Sequence, residues 1–309
     1  MSTTTPPWSG IGVAVPSVDA YGIGHPVLDV ARAAEDQGLD HVWVPDHLVF
    51  HRPVLEAMTA LAMIAGATSR VRLGTAILNP ALRPLIWTAK QLQTLETLAP
   101  GRLLLGVGMG GEYEPEWTAA GVDRKQRARR LDEALALLPA LFSGAPLRHD
   151  GLHHVDTPAM LPAADVPPVL IGGRAEPALR RTARVGDAWL PMWLDPDQVA
   201  AGLEQLAGYA AELGRPAPGA ALVAFVNVND DEERGHEEAA ELVKRQYGMP
   251  YEKVRRWTIV GSEEQVAERL HAYREAGVDG FSFAIAGPDQ LTQVERIAGV
   301  RERLAASTA

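Results

Sequence analysis

The sequence has no cysteine among its 309 residues. That one absence removes disulfides, thiolate nucleophiles and cysteine-ligated metal centres together. No window approaches 18 uninterrupted apolar residues, so no membrane-spanning helix is expected. Positive charge is in deficit, with Lys+Arg 29 against Asp+Glu 39 and a net charge of -10. Such a field argues against nucleic acid or an anionic membrane surface as partner. The H-E-x-x-H arrangement is missing, and no His-x-His pair follows the first strand, so no catalytic metal is expected. Residues 1–9 lack a basic n-region and an apolar h-region, and read as a flexible Thr/Pro tail instead of a signal peptide. These absences lead to the expectation of a cytoplasmic protein acting on a small molecule.

What is present is an apolar share of 47%, enough for a sizeable core. Short β-branched runs at residues 11–16, 41–46, 71–78, 102–110, 166–173, 188–194, 222–229 and 281–287 are apolar throughout. That is the pattern of parallel strands covered by helices. Helical patterns fall at 26–37, 54–68, 85–98, 125–142, 176–185, 196–213, 232–247 and 263–276, several stopped by glycine (Gly38, Gly144, Gly186, Gly214, Gly248, Gly277). Eight strands alternating with eight helices define an α/β chain and predict a (β/α)8 TIM barrel with insertions. A doubly wound open sheet uses the same alternation. The barrel is favoured because no linker divides residues 1–309 and because polar or glycine residues recur just after strand ends: Asp46-His47, Asn79, 108–112, 172–174 and 227–230. A barrel gathers all of these on its catalytic face. Insertions are expected at 111–123, 143–165 and 230–261, the second holding a small outlying strand near 152–155. Residues 55–65 are apolar nearly all round, which predicts a homodimer formed through this helix and its neighbour.

Several motifs carry chemistry. Gly106-Val107-Gly108-Met109-Gly110-Gly111 matches G-x-G-x-x-G as a string. Glu112-Tyr113-Glu114-Pro115 follows it instead of a helix start, so a dinucleotide fingerprint is rejected. What survives is bare backbone at the mouth of the fourth strand, where a flat group could lie, or close strand–helix packing. His47 follows a strand beside Asp46. A histidine there can donate to an anionic ring or shuttle a proton while the carboxylate fixes its tautomer. Glu112, Glu114 and Glu116 supply carboxylates after strand 4, with Asp230 as the one opposing partner a glycosidase would need. Asp230 opens an acidic run that reads as a solvated helix start, so glycoside hydrolysis ranks last. Ile171-Gly172-Gly173-Arg174-Ala175-Glu176-Pro177 ends a strand in two glycines before a helix. Free N–H groups, the positive helix end and Arg174 would hold a phosphate there.

Taken in order, these strings resemble the bacterial luciferase-like superfamily. The matching segments are Asp46-His47, Leu73-Gly74-Thr75-Ala76-Ile77-Leu78, Arg102-Leu103-Leu104-Leu105-Gly106-Val107-Gly108, Ile171-Gly172-Gly173 and Gly186-Asp187-Ala188-Trp189, with Trp257 to Val266 and Ala276 to Asp279 behind them. The resemblance implies a barrel with FMN or the deazaflavin coenzyme F420 at its mouth, and Asp46-His47-Leu48 is similar to the F420 branch. It places His47 beside the ring, Ala76 and Ile77 at a non-proline cis-peptide bulge behind it, and Asn79 at its polar edge. Gly108, Met109 and Gly110 would flank the ring, and Gly172, Gly173 and Arg174 would hold the phosphate. Glu112 becomes the proposed proton donor, and Trp193 a wall of the substrate pocket. Two departures from F420-dependent sugar-phosphate dehydrogenases stand out. Their acid falls at the position of Gly111, and their Trp at the position of His51, so sugar phosphate is not carried over.

The resulting expectation is an F420-dependent oxidoreductase transferring a hydride to or from a small organic substrate. The alternatives are a monooxygenase using reduced FMN from a separate flavin reductase, and a non-catalytic flavin-binding relative.

Overall fold

Strands apolar on both faces need cover on both, and a ring of parallel strands inside a ring of helices provides it. The computed structural model describes residues 5–110 and 113–306. In chain order the elements are β1 (Gly10–Ala14), α1 (Val27–Asp36), β2 (His41–Val44), α2 (Ala57–Ala67), β3 (Arg72–Thr75), α3 (Leu85–Leu98) and β4 (Leu103–Val107). There follow α4 (Glu114–Ala120), α5 (Arg127–Phe142), β5 (Leu147–His149), β6 (Val155–Thr157), β7 (Val169–Gly172), α6 (Glu176–Val185), β8 (Ala188–Leu190) and α7 (Pro196–Glu212). The chain continues through β9 (Gly219–Val228), α8 (Glu232–Tyr247), β10 (Ile259–Gly261), α9 (Glu263–Glu275), β11 (Gly280–Ile285) and α10 (Gln290–Ala306).

The parallel order β1-β2-β3-β4-β7-β8-β9-β11 closes on itself where β11 pairs with β1, Gly280 opposite Gly10. This is the expected (β/α)8 barrel, and all eight expected strands are in it. The helix count needs correcting. The outer ring runs α1, α2, α3, α5, α6, α7, α9, α10 and back to α1. Its last member follows the last strand, and its buried Val294, Ile297, Val300 and Leu304 carry the helical period. The surplus helix is α8. It stands over the mouth with Leu242 and Val243 packed on Tyr251, Val254 and Phe225. β10, also unexpected, extends the free edge of β9 above the point where β8 ends. In the 143–165 insertion, β5 and β6 form an antiparallel hairpin whose turn contains Leu152 and His153, so the expected strand at 152–155 is displaced by a few residues. The 111–123 insertion holds α4.

The inside of the barrel shows why glycine recurs on inward positions. A Cβ on Gly74 would lie 2.1 Å from the Trp43 ring, and one on Gly12 would lie 2.1 Å from His41 Nδ1. Two rings thus fill the barrel floor because facing strands have no side chain there. Trp43 Nε1 donates to His41 Nδ1 at 2.8 Å, and His41 Nε2 lies 3.3 Å from the Ser9 carbonyl. Burial lowers the His41 pKa from its ordinary 6.5 to about 4. Trp8, within the stretch expected as a tail, is buried and donates from Nε1 to Asp279. Five of the six helix-stop glycines have positive φ; Gly186 is extended at φ -85. Its missing side chain instead leaves room for Ile171 and Thr182. No helix of the described residues is long and apolar enough to cross a membrane.

Candidate functional site

Where β2, β3, β4, β7 and β8 end, their following residues surround a cleft of about 320 Å³. Of the residues singled out in the sequence, Asp46, His47, Ala76, Ile77, Asn79, Met109, Gly110, Gly172, Gly173, Arg174 and Trp193 line it. Glu112 lies outside the described residues. Gly108 is not part of the lining.

The floor is the segment after β3. The Ala76–Ile77 peptide is cis, as the resemblance implied. The Ile77 side chain is tucked back between two glycines: a Cβ on Gly108 would lie 2.0 Å from Ile77 Cδ1, and one on Gly172 would lie 3.0 Å from Ile77 Cγ2. This corrects the expectation that Gly108 leaves room for a ring directly. The space it leaves is filled by Ile77 from the segment after β3, which is neither a ring nor the strand–helix contact of the other reading. Gly110, at φ 54, does the same for Asn79, whose Nδ2 would lie 2.3 Å from an added Cβ.

Asn79 is buried, yet neither its Oδ1 nor its Nδ2 has a hydrogen-bond partner. Buried polar groups are nearly always paired, so an unpaired amide with one donor end and one acceptor end in the lining of a cleft marks where a ligand edge belongs. Along the rim, Gly173 has φ 124, and a Cβ there would lie 2.9 Å from the Ala178 Cβ. Helix α6 begins there without a side-chain cap at Ala175. In its first turn Pro177 has no N–H and the Ala178 N–H is bonded to the Ala175 carbonyl, so the polar groups at this end of the cleft are the Gly172–Gly173 backbone and Arg174, whose guanidinium lies 5.6 Å from the Trp193 ring centre. The described residues therefore fit a flat ring with a polar edge and a phosphorylated tail.

His47 has a different carboxylate partner from the expected one. Asp46 is turned away: it accepts from the Asn79 backbone N–H at 2.9 Å and from Arg83 at 2.6 Å. Arg83 also bridges to Glu56 at 3.1 Å. Burial pushes the Asp46 carboxyl up, while Arg83 and the Asn79 N–H pull against it. Asp46 thus anchors the Asn79 turn and does not orient the imidazole. The carboxylate facing His47 is Glu116. Its Oε1 is 3.4 Å from His47 Nδ1 and accepts the Leu48 backbone N–H at 2.6 Å. Glu116 is 2% exposed. The His47 ring also stacks on Phe50, centroids 3.9 Å apart at 16°. His47 Nδ1 is buried and makes no hydrogen bond, so Glu116 meets it as a facing charge at 3.4 Å and not as a bonded acceptor.

Glu116, Phe50, Met192, Gln246 and Tyr247 are site residues that the sequence reading did not select. Glu116 was legible in part. Glu114 and Glu116 sit two apart on α4, about 200° round a helix, so only one can face the barrel. His51 packs on Tyr113 at 4.3 Å, outside the lining. Asp230 is exposed and bonded to Arg296 at 2.7 Å, so no second carboxylate faces α4 from β9. Among the described residues no group of acidic and histidine side chains could hold a metal.

Comparison with known proteins agrees with this geometry. The luciferase-like monooxygenase family model matches residues 16–258. The chain is 30% identical over 300 residues to an F420-dependent glucose-6-phosphate dehydrogenase of Beutenbergia cavernae, covering 86% of this chain and 88% of that protein. Its fold is similar to an F420-dependent secondary alcohol dehydrogenase in complex with an F420–acetone adduct, at TM-score 0.83 and 19% identity over 96% of this chain and 99% of the other. It is similar also to a monooxygenase from Streptomyces bottropensis, at TM-score 0.84 and 20% identity over 97% of this chain and 100% of the other. The chain therefore belongs to the luciferase-like monooxygenase family and is an oxidoreductase on a (β/α)8 barrel.

Proposed function

We propose that the protein is an F420-dependent oxidoreductase acting on a small organic substrate at the barrel mouth. The observation that carries this reading is the unpartnered Asn79 amide above the cis Ala76–Ile77 bulge, level with the Gly172–Gly173–Arg174 rim. Bound there, the deazaflavin would supply the hydride acceptor or donor. The chain's own share is placement and proton management. Ala76 and Ile77 support the ring plane, and Met109 and Gly110 border it. Asn79 pairs with its polar edge, and the Gly172–Gly173 backbone with Arg174 holds the phosphate. Glu116 keeps a proton on His47 Nδ1, leaving Nε2 to accept or return the substrate's proton. The relatives named as F420-dependent and the Asp46-His47 pair favour F420 over FMN.

Paired titrations with F420 and FMN, followed by absorbance, test this reading. Micromolar affinity for F420 and none for FMN is expected. The reverse result would assign a monooxygenase served by a separate flavin reductase. Coenzyme binding without turnover across many substrates would favour a non-catalytic relative.

Two copies, we infer, pair through α2 and α3. Met63 on α2, Trp87 and Leu98 on α3 and the nearby Leu161 are all exposed, Trp87 by 68%. Large apolar side chains exposed together on neighbouring helices favour cover by a second copy.

A further inference from the structure

The residues assigned to the coenzyme account for only part of the cleft. The rest includes Phe50, Met192, Trp193, Val223, Gln246 and Tyr247. Three of these, from three different elements, make one continuous edge-to-face wall. Phe50 and Tyr247 have centroids 6.0 Å apart at 80°, and Trp193 and Tyr247 lie 6.1 Å apart at 73°. Trp193 is the one non-glycine residue with positive φ among the described residues, at 58, a backbone conformation bulky side chains adopt rarely. Its Nε1 is buried without a partner.

The charges bordering this wall are all engaged. Asp46 serves Arg83 and the Asn79 N–H, and Glu116 serves Leu48 and faces His47. Arg174 lies over Trp193 at the phosphate end. Arg256, whose partner Asp195 follows Trp193 by two residues, is ion-paired with that carboxylate and stacked on Trp257. With Arg174 assigned to the phosphate, no other Lys or Arg in the described lining is left for an anionic group on a substrate, whereas ring faces and the Met192 thioether are.

Building on the F420 reading, we propose that the substrate is an uncharged alcohol or ketone with an aromatic or alicyclic body, not a sugar phosphate. The three rings hold the body, and His47 Nε2 accepts the hydrogen bond of an alcohol's hydroxyl or, when protonated, donates one to a ketone's oxygen.

The test is ligand-observed NMR titration of 1-phenylethanol, cyclohexanol and glucose 6-phosphate against the protein, with and without saturating F420. A separate F420 titration on the same samples reports the cofactor reading, so the two can fail independently. Both alcohols should bind and glucose 6-phosphate should not over the same concentration range. Trp193→Gly, which suits the left-handed backbone, and Tyr247→Ala should each weaken the alcohols about tenfold, with F420 affinity retained. Glucose 6-phosphate binding as tightly as the alcohols, no binding of either alcohol, or two folded variants with unchanged alcohol affinity would each overturn the proposal.

Discussion

Gly108→Ala isolates the role of the bulge. An added Cβ would lie 2.0 Å from Ile77 Cδ1, against an optimal carbon–carbon separation of about 3.5–4.0 Å. The methyl must therefore move by about 1.5 Å or more. On the β7 side Ile77 Cγ2 and Cδ1 already use the room that Gly172 leaves, 3.0 and 3.2 Å from where a Cβ on that residue would lie. The side chain is therefore expected to shift into the cleft, where the ring should lie. Overpacking of this kind costs about 1–3 kcal/mol. For a chain of this length that lowers the melting temperature by about 2–5 °C. Coenzyme affinity should fall more steeply than stability, since the displaced side chain occupies the binding face. Calorimetry gives the first quantity and F420 titration the second. The control is Gly108→Ala combined with Ile77→Val, which removes Cδ1 and should restore both. Wild-type melting and affinity in Gly108→Ala alone, or a double variant no better than the single, would refute the packing argument.

Other consequences are equally direct. Glu116→Leu should remove the carboxylate that faces His47 at 3.4 Å and cut turnover roughly tenfold, about 1.4 kcal/mol of lost charge–imidazole interaction. Glu116→Gln keeps an acceptor, so long-range 15N spectra of His47 should show the Nδ1–H tautomer in wild type and Gln variant and its loss in the Leu variant; one tautomer in all three contradicts the assignment. His47→Ala should lower turnover by orders of magnitude with the fold intact, and near-normal activity would remove His47 from the chemistry. Because the folded-state pKa of His41 is about 4 against an ordinary 6.5, the unfolded chain binds the extra proton between those values. This contribution to stability is full above pH 6.5 and lost as pH falls toward 4, by roughly 3 kcal/mol. Denaturant titrations across that window should slope accordingly, and His41→Gln, which can keep both hydrogen bonds, should flatten the slope. Light scattering at micromolar concentration should return a dimer, and Trp87→Glu with Met63→Glu should return a monomer; a monomeric wild type removes the α2–α3 pairing.

The barrel was readable because a parallel strand covered on both faces leaves an uninterrupted apolar run, and eight of them recur in order. The outer ring was less so: α8 and α9 carry the same helical period, and nothing local says which packs on the strands and which stands over the mouth. At the site, Asp46 and His47 were legible as a pair, but adjacent residues on an extended chain point opposite ways. Asp46 accordingly turns to Arg83 and His47 to Glu116, a carboxylate 69 positions away that only the closed ring brings near. The glycines of β4 were identified as bare backbone. Whether the space they leave opens to a ligand or receives Ile77 depends on contacts between β3, β4 and β7 that no single segment encodes.

A crystal structure of the protein with F420 bears most directly on the account. The ring should lie against the Ala76–Ile77 peptide, with its polar edge on the Asn79 amide and its phosphate at Gly172, Gly173 and Arg174. Density elsewhere, or a mouth closed over Ile77 by side chains with the Asn79 amide paired within the protein, would contradict it.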